Sequence, residues 1–185
     1  MFNKLFFLLF IFTNIYTVLH ANERQLIIDQ INRIENIVFN FKQTTNEKKE
    51  FGLCTLVFDN KLSCDYKDFE QKRILINGKI LVVQKKKYNK NYFYPLSNSP
   101  FVKIFNKNNL VDLIQQAELQ RNDTIEITYI GENKEKIIIF FSTDTYDLVG
   151  WRIVDQLKNI INFSIEIKYK NSEINSKIFE IPSIN

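Results

Sequence analysis

The sequence predicts a mainly β domain of the α+β kind: a meandering antiparallel sheet with one helix ahead of it and a second between its two halves. Three observations carry this. Apolar residues recur at helical spacing from Ile27 to Phe41 and again over Leu110–Ile114. Between and after these stretches, short runs rich in β-branched and aromatic residues alternate with turn signals. No helices alternate with the strands within either half, so neighbouring strands should pair antiparallel.

Residues 1–21 stand outside this pattern. Met1–Lys4 carries one positive charge, Leu5–Phe12 is unbroken apolar sequence, and Ile15–Leu19 extends it past Thr13 and Asn14. Ala21 supplies a small residue before a cleavage point, with Leu19 at −3. We read a cleaved secretory signal. The alternative, an uncleaved anchor, meets a stretch that is short for a span and interrupted by Asn14. The first cysteine is Cys54, far from any lipid-attachment position at the cleavage point, so a soluble mature protein without a lipid anchor is expected. No composition break or linker divides residues 22–185, which are expected to form one domain of ordinary size.

Several function classes fall away. The only histidine, His20, leaves with the signal, and with it go His-dependent triads and His-ligated metals. Two cysteines are too few for a Cys-rich zinc site. Gly52, Gly78, Gly131 and Gly150 stand alone, so no phosphate-cradling loop exists. No pair of carboxylates stands out for acid–base work. We expect no enzyme and no cofactor. The net charge of +4, one lower without Lys4, is no nucleic-acid signature.

In order, residues 23–41 read as an amphipathic helix with Ile27, Ile31, Ile34, Val38 and Phe41 on one face. Phe51–Phe58 and Leu62–Tyr66 flank the turn signal Asp59-Asn60. Arg73–Ile76 and Lys79–Gln84 flank Asn77-Gly78, the strongest hairpin signal in the chain. Tyr88–Tyr94 is a strand ending at Pro95. Asn109–Ala117 is a short helix. Thr124–Ile130, Lys136–Phe141, Leu148–Asp155, Ile160–Tyr169 and Ile174–Ile181 complete the strands.

The two cysteines invite a bond in an oxidising compartment. A two-residue turn at Asp59-Asn60 would place Cys64 opposite Thr55 and forbid it. An odd-length loop puts Cys54, Leu56 and Phe58 on one face with Leu62, Cys64 and Tyr66, gathering the apolar residues and permitting a Cys54–Cys64 disulfide. Two buried free thiols are the alternative.

The order of motifs resembles the outer-membrane lipoprotein carrier family (LolA-like). Phe41-Lys42-Gln43 stands where the family has Phe-x-Gln. From Gly52 to Tyr66 the family pattern G-x5-R-P-x4-W-x-Y is matched at both ends, with Phe58-Asp59 in place of Arg-Pro and Cys64 in place of Trp. Ile74–Lys79, Pro95-Leu96, Pro100, Leu148–Ile153 with Asp155, Asn171 and Phe179–Pro182 resemble later family elements, so that the likeness covers about residues 25–182.

The resemblance implies an incomplete antiparallel β-barrel, a strongly curved sheet covered by the two helices as a lid. It implies a periplasmic carrier that shields lipoprotein acyl chains in an apolar cavity and moves them from the inner to the outer membrane. Its partners would be acylated lipoprotein cargo, an inner-membrane ABC-type lipoprotein-releasing transporter and, where one exists, an outer-membrane receptor. The carrier would act as a monomer, with no nucleic acid involved.

Candidate cavity and lid residues are Ile34, Val38, Phe41, Leu56, Phe58, Leu62, Phe101, Ile104, Phe105, Leu113 and Trp151. The family arginine helps hold the lid; Phe58 cannot, so either Lys61 or Arg73 substitutes or the lid is held by apolar contact alone.

Two other functions are open. A glycolipid or phospholipid carrier would need the same groove. Lys85–Tyr94 interleaves lysines and aromatics as a polymer-binding module would. A solvated basic turn leading into a strand explains the same residues.

Overall fold

The computed structural model describes residues 22–58, 60–99, 102–131, 135–154 and 157–183. The secretory-signal assignment to residues 1–21 lies outside them. Helix α1 spans residues 22–33 and buries Ile27, Ile28 and Ile31. The expected helix over 23–41 is therefore corrected: strand β1 begins at Asn36 and runs to Thr45. The reason is local. From Ile37 the apolar period drops to two, with Ile37, Phe39 and Phe41 buried and Val38, Asn40 and Lys42 between them. Asn171 fixes the break. Its side-chain nitrogen donates to the Arg33 carbonyl (2.8 Å) and its side-chain oxygen accepts from the Glu35 backbone N–H (2.7 Å), groups a continuing helix would have claimed.

The strands β2 (Lys48–Val57), β3 (Lys61–Tyr66), β4 (Lys72–Asn77), β5 (Ile80–Lys85) and β6 (Lys90–Pro95) follow as a meander. The segment to β6 expected from Tyr88 starts later, because Lys86–Tyr88 form a 3₁₀ turn. In the β4–β5 hairpin, Asn77 pairs with Ile80, which leaves Gly78 as the first of two loop residues. Its φ of +64° is what a type II′ turn asks of glycine. Helix α2 (Val102–Phe105) and helix α3 (Lys107–Gln116) come next; Asn106 caps α3 by accepting from the Asn109 N–H. Strand β7 (Glu118–Arg121), which the sequence reading did not anticipate, precedes β8 (Thr124–Ile130), β9 (Lys136–Ser142), β10 (Leu148–Val154) and β11 (Ile160–Lys170).

The eleven strands of the described residues join one antiparallel sheet in the order β6-β5-β4-β3-β2-β1-β11-β10-β9-β8-β7. The chain thus walks outward from β1 to one edge, crosses through α2 and α3 to the opposite edge, and walks back until β11 lies beside β1. The sheet is curved and unclosed. The helical crossing spans its two edges, and Ile104, Phe105, Leu110, Leu113 and Ile114 share a core with residues of both halves of the sheet. α1 is tied to this crossing: Arg24 donates to the carbonyls of Ile114 and Ala117 at the C-terminal end of α3. The predicted fold class is the observed one.

The expected strand Ile174–Ile181 is not formed. Ser176–Phe179 make a 3₁₀ turn lying against β3 and β4. Arg73 donates to the Ile178 carbonyl (3.0 Å) and Asn77 to that of Phe179 (3.1 Å). These bonds to side chains replace the ladder a strand would have used.

In the β2–β3 hairpin, Val57 pairs with Lys61 and Cys54 faces Cys64, so the loop is odd in length. Asn60 ends that loop at φ +65°. Cys54 and Cys64 are bonded, with their Cα atoms 4.1 Å apart. Reducing this short-loop disulfide, or replacing both cysteines by alanine, should cost about 2–3 kcal/mol in urea unfolding; an unchanged midpoint would show that the bond adds nothing to the hairpin's own pairing.

Candidate functional site

Strand alternation decides what the concave face presents. β1 contributes Phe39, Phe41 and Gln43; β3 contributes Leu62, Cys64 and Tyr66; β4 contributes Lys72, Ile74 and Ile76. Phe163 on β11 and Trp151 on β10 are direct cross-strand partners. Five aromatic rings then run across the sheet into the helical crossing. Tyr66 meets Phe41 edge-on (4.7 Å between centroids), Phe41 stacks on Phe163 (4.8 Å), Phe163 stacks on Trp151 (4.3 Å), and Trp151 meets Phe105 of α2 edge-on (5.6 Å).

Between this floor and α2 lies a cavity of about 160 Å³. Its apolar walls are Phe39, Leu62, Ile74, Phe105, Trp151, Ile161 and Phe163, with Cys64 of the disulfide beside them. Gln43, Tyr66 and Lys72 complete the lining. These three belong to a polar cluster. Lys72 Nζ lies 2.6 Å from the buried carboxylate of Glu50 and 3.8 Å from the centroid of the Tyr66 ring. The Tyr66 hydroxyl donates to Gln43 (2.6 Å), and Lys48 reaches Glu50 from the solvent side (2.9 Å). Burial pushes the Glu50 carboxyl up, but hydrogen bonds from Lys72 and Lys48 more than offset it and hold it below the usual carboxylate range. Burial likewise pushes the Tyr66 phenol up.

The residues singled out from sequence are placed as follows. Leu62, Phe105 and Trp151 line the cavity. Phe41 is the central ring of the ladder, on a strand rather than on a helical lid. Ile34, Leu56, Phe58, Ile104 and Leu113 are buried in the surrounding core. Val38 is corrected: it pairs with Thr55, between the inward-facing Ile37–Leu56 and Phe39–Cys54 pairs, and so lies on the opposite face. Phe101 lies outside the described residues. The sequence reading missed Phe39, Gln43, Tyr66, Lys72, Ile74, Ile161 and Phe163 as lining residues. The signal was present in the period-two run Phe39-x-Phe41-x-Gln43, which helical spacing had masked.

The family described as outer membrane lipoprotein carrier protein LolA matches residues 32–182. The chain belongs to the LolA family. No curated protein matches the chain in sequence. Among solved structures, an uncharacterized conserved protein from Thermus thermophilus superposes with a TM-score of 0.54 at 9% identity, covering 85% of this chain and 93% of that one. A DUF1329 family protein from Desulfovibrio piger gives 0.51 at 7% identity, covering 86% and 96%. A LolA superfamily protein from Nitrosomonas europaea gives 0.45 at 10% identity, covering 85% and 97%.

In this LolA family chain the place of the hairpin arginine is taken by Phe58, which is buried, with Lys107 of α3 over its ring at 5.6 Å. Arg73 does not substitute: it turns to the other face, donating to Ser63 and to the Ile178 carbonyl. Lys61 is exposed. The hairpin instead holds α2 through apolar packing and one backbone bond, Asn60 N–H to the Phe105 carbonyl (3.3 Å).

Proposed function

We propose that the protein is a periplasmic carrier that takes up the acyl chains of lipoproteins beneath α2 and α3 and conveys them from the inner to the outer membrane. Its residues 1–21 would be a cleaved export signal and residues 22–185 the single carrier domain. The reading rests on one observation above others: an aromatic-floored, mostly apolar cavity that lies beneath Phe105 of the helical crossing between the two halves of the sheet. None of the described helices is long and apolar enough to cross a membrane.

A cavity of about 160 Å³ is the size that holds a benzene-like molecule, not a whole acyl chain. Loading therefore requires α2 and α3 to lift. An open, empty groove would expose Ile104, Phe105, Leu110, Leu113 and Ile114, at about 1.5–3 kcal/mol each, so the empty carrier shuts. A bound chain covers the same side chains and adds about 0.8 kcal/mol per buried CH2 of its own. The ligand thus favours the open state by its differential contacts, with no reaction required. An inner-membrane ABC-type transporter would load the monomeric carrier, and a receptor or the outer membrane would unload it.

Trp151 is the single tryptophan of the chain and lines the cavity, so it reports on occupancy. Titrating the purified protein with a brominated hexadecanoyl chain should quench its fluorescence saturably. Quenching no greater than that of a solvent-exposed tryptophan would overturn the reading. Mass spectrometry of lipid co-purified from the periplasm then separates lipoprotein tails from glycolipid or phospholipid cargo.

A further inference from the structure

Resting on the carrier reading, we propose that Lys72, held beside Gln43 and Tyr66 at one end of the cavity, forms a headgroup subsite whose ammonium donates to an acyl-ester carbonyl of a glyceride-type amphiphile and so orients the chain in the cavity. Polarity rises along two neighbouring strands in the same direction. β3 presents Leu62, Cys64 and Tyr66 in turn, and β4 presents Ile76, Ile74 and Lys72. At about 3.3 Å per residue, Leu62 and Tyr66 lie about 13 Å apart. α2 lies toward the Leu62 end, where Asn60 bonds the Phe105 carbonyl. A chain entering this groove finds hydrocarbon walls at the α2 end and hydrogen-bonding groups at the other.

Burying an ammonium inside an apolar groove is costly and needs compensation. Glu50, only 8% exposed, supplies it for Lys72, which is 16% exposed, while Lys48 partners the same carboxylate from outside. The carboxylate is thereby shared between two ammonium groups, and Lys72 retains donor capacity toward the cavity it lines. Asp68 and Glu70 also carry charge near Lys48. Glu70 is paired with Lys85, so the surroundings of the subsite are close to balanced. That balance suits a neutral acceptor, an ester or amide carbonyl, better than a free anion. Both the diacylglyceryl end of a lipoprotein and a phospholipid carry that chemistry.

The test uses two brominated probes read at Trp151: a monoacylglycerol with a brominated chain, which has the ester head, and 1-bromohexadecane, which has none. Lys72→Met keeps chain length and leaves Glu50 paired with Lys48. It should weaken the monoacylglycerol about tenfold while leaving 1-bromohexadecane unchanged, and Lys72→Arg should restore most of the loss. If Lys72→Met fails to fold, Lys72→Met with Glu50→Gln removes both buried charges and should show the same selective loss. A lipoprotein-derived tail and a lysophospholipid, compared in the same assay, show which source of the ester binds more tightly. Equal weakening of both probes, or of neither, overturns the subsite while the carrier reading stands. Failure of both probes to quench the wild-type protein overturns the two together.

Discussion

Trp151→Ala should destabilise the protein by about 3–5 kcal/mol, measured by urea unfolding followed by circular dichroism. Trp151 is 1% exposed and holds two neighbours at once. Phe163 is stacked on it at 4.3 Å, and Phe105 of α2 meets its edge at 5.6 Å. Truncation removes the ring contact through which the second half of the sheet meets Phe105 of the helical crossing. It also leaves a void that adjoins the existing cavity, so the walls cannot simply close over it. Trp151→Phe keeps a ring in the ladder and should cost less than half as much. A loss below about 1 kcal/mol for alanine would mean that α2 is held by its backbone bond to Asn60 and by Ile104 rather than by the ladder.

The parts of the molecule legible in the sequence are those specified by short-range chemistry. The hairpin at Gly78, whose two loop residues fall one position later than the Asn77-Gly78 signal placed them, the odd Phe58–Asn60 loop and the Cys54–Cys64 pairing all follow from residues a few positions apart. The helix boundary at residue 33 did not. Ile34, Val38 and Phe41 satisfy a helical period, while Ile37, Phe39 and Phe41 satisfy a strand period over the same residues. The choice is made by Asn171, more than a hundred residues away, which takes up the groups at the end of α1. Long-range pairing likewise placed Phe163 and Trp151 beside Phe41. The polar cluster was illegible for a different reason: Glu50 and Lys72 are common surface residues, and only the alternation of β2 and β4 turns them inward. Ile174–Ile181 reads as a strand by composition, but side chains of β4 rather than a strand edge take its carbonyls.

Gly52→Val should cost about 3 kcal/mol, and Gly52→Ala about 2 kcal/mol, against the usual expectation that glycine within a strand is replaced at a gain. A Cβ at this position would meet the Asp65 carbonyl oxygen of β3 and stand 2.6–2.7 Å from two carbons of the Phe41 ring. Neither can retreat. The carbonyl belongs to the paired backbone of β3, and the Phe41 ring is clasped between Tyr66 at 4.7 Å and Phe163 at 4.8 Å. Glycine here makes the hollow over which Phe41 lies, and the ladder passes from β3 to β11 through that ring. The coupling can be isolated in a double-mutant cycle. Phe41→Leu alone removes the ring, and Gly52→Ala added to it now meets only the Asp65 carbonyl. The pair should therefore be less destabilised than the sum of the singles by about 1 kcal/mol, measured from urea midpoints at unchanged slope. Strict additivity would show that the Asp65 carbonyl alone sets the cost and that the hollow under Phe41 has no part in it.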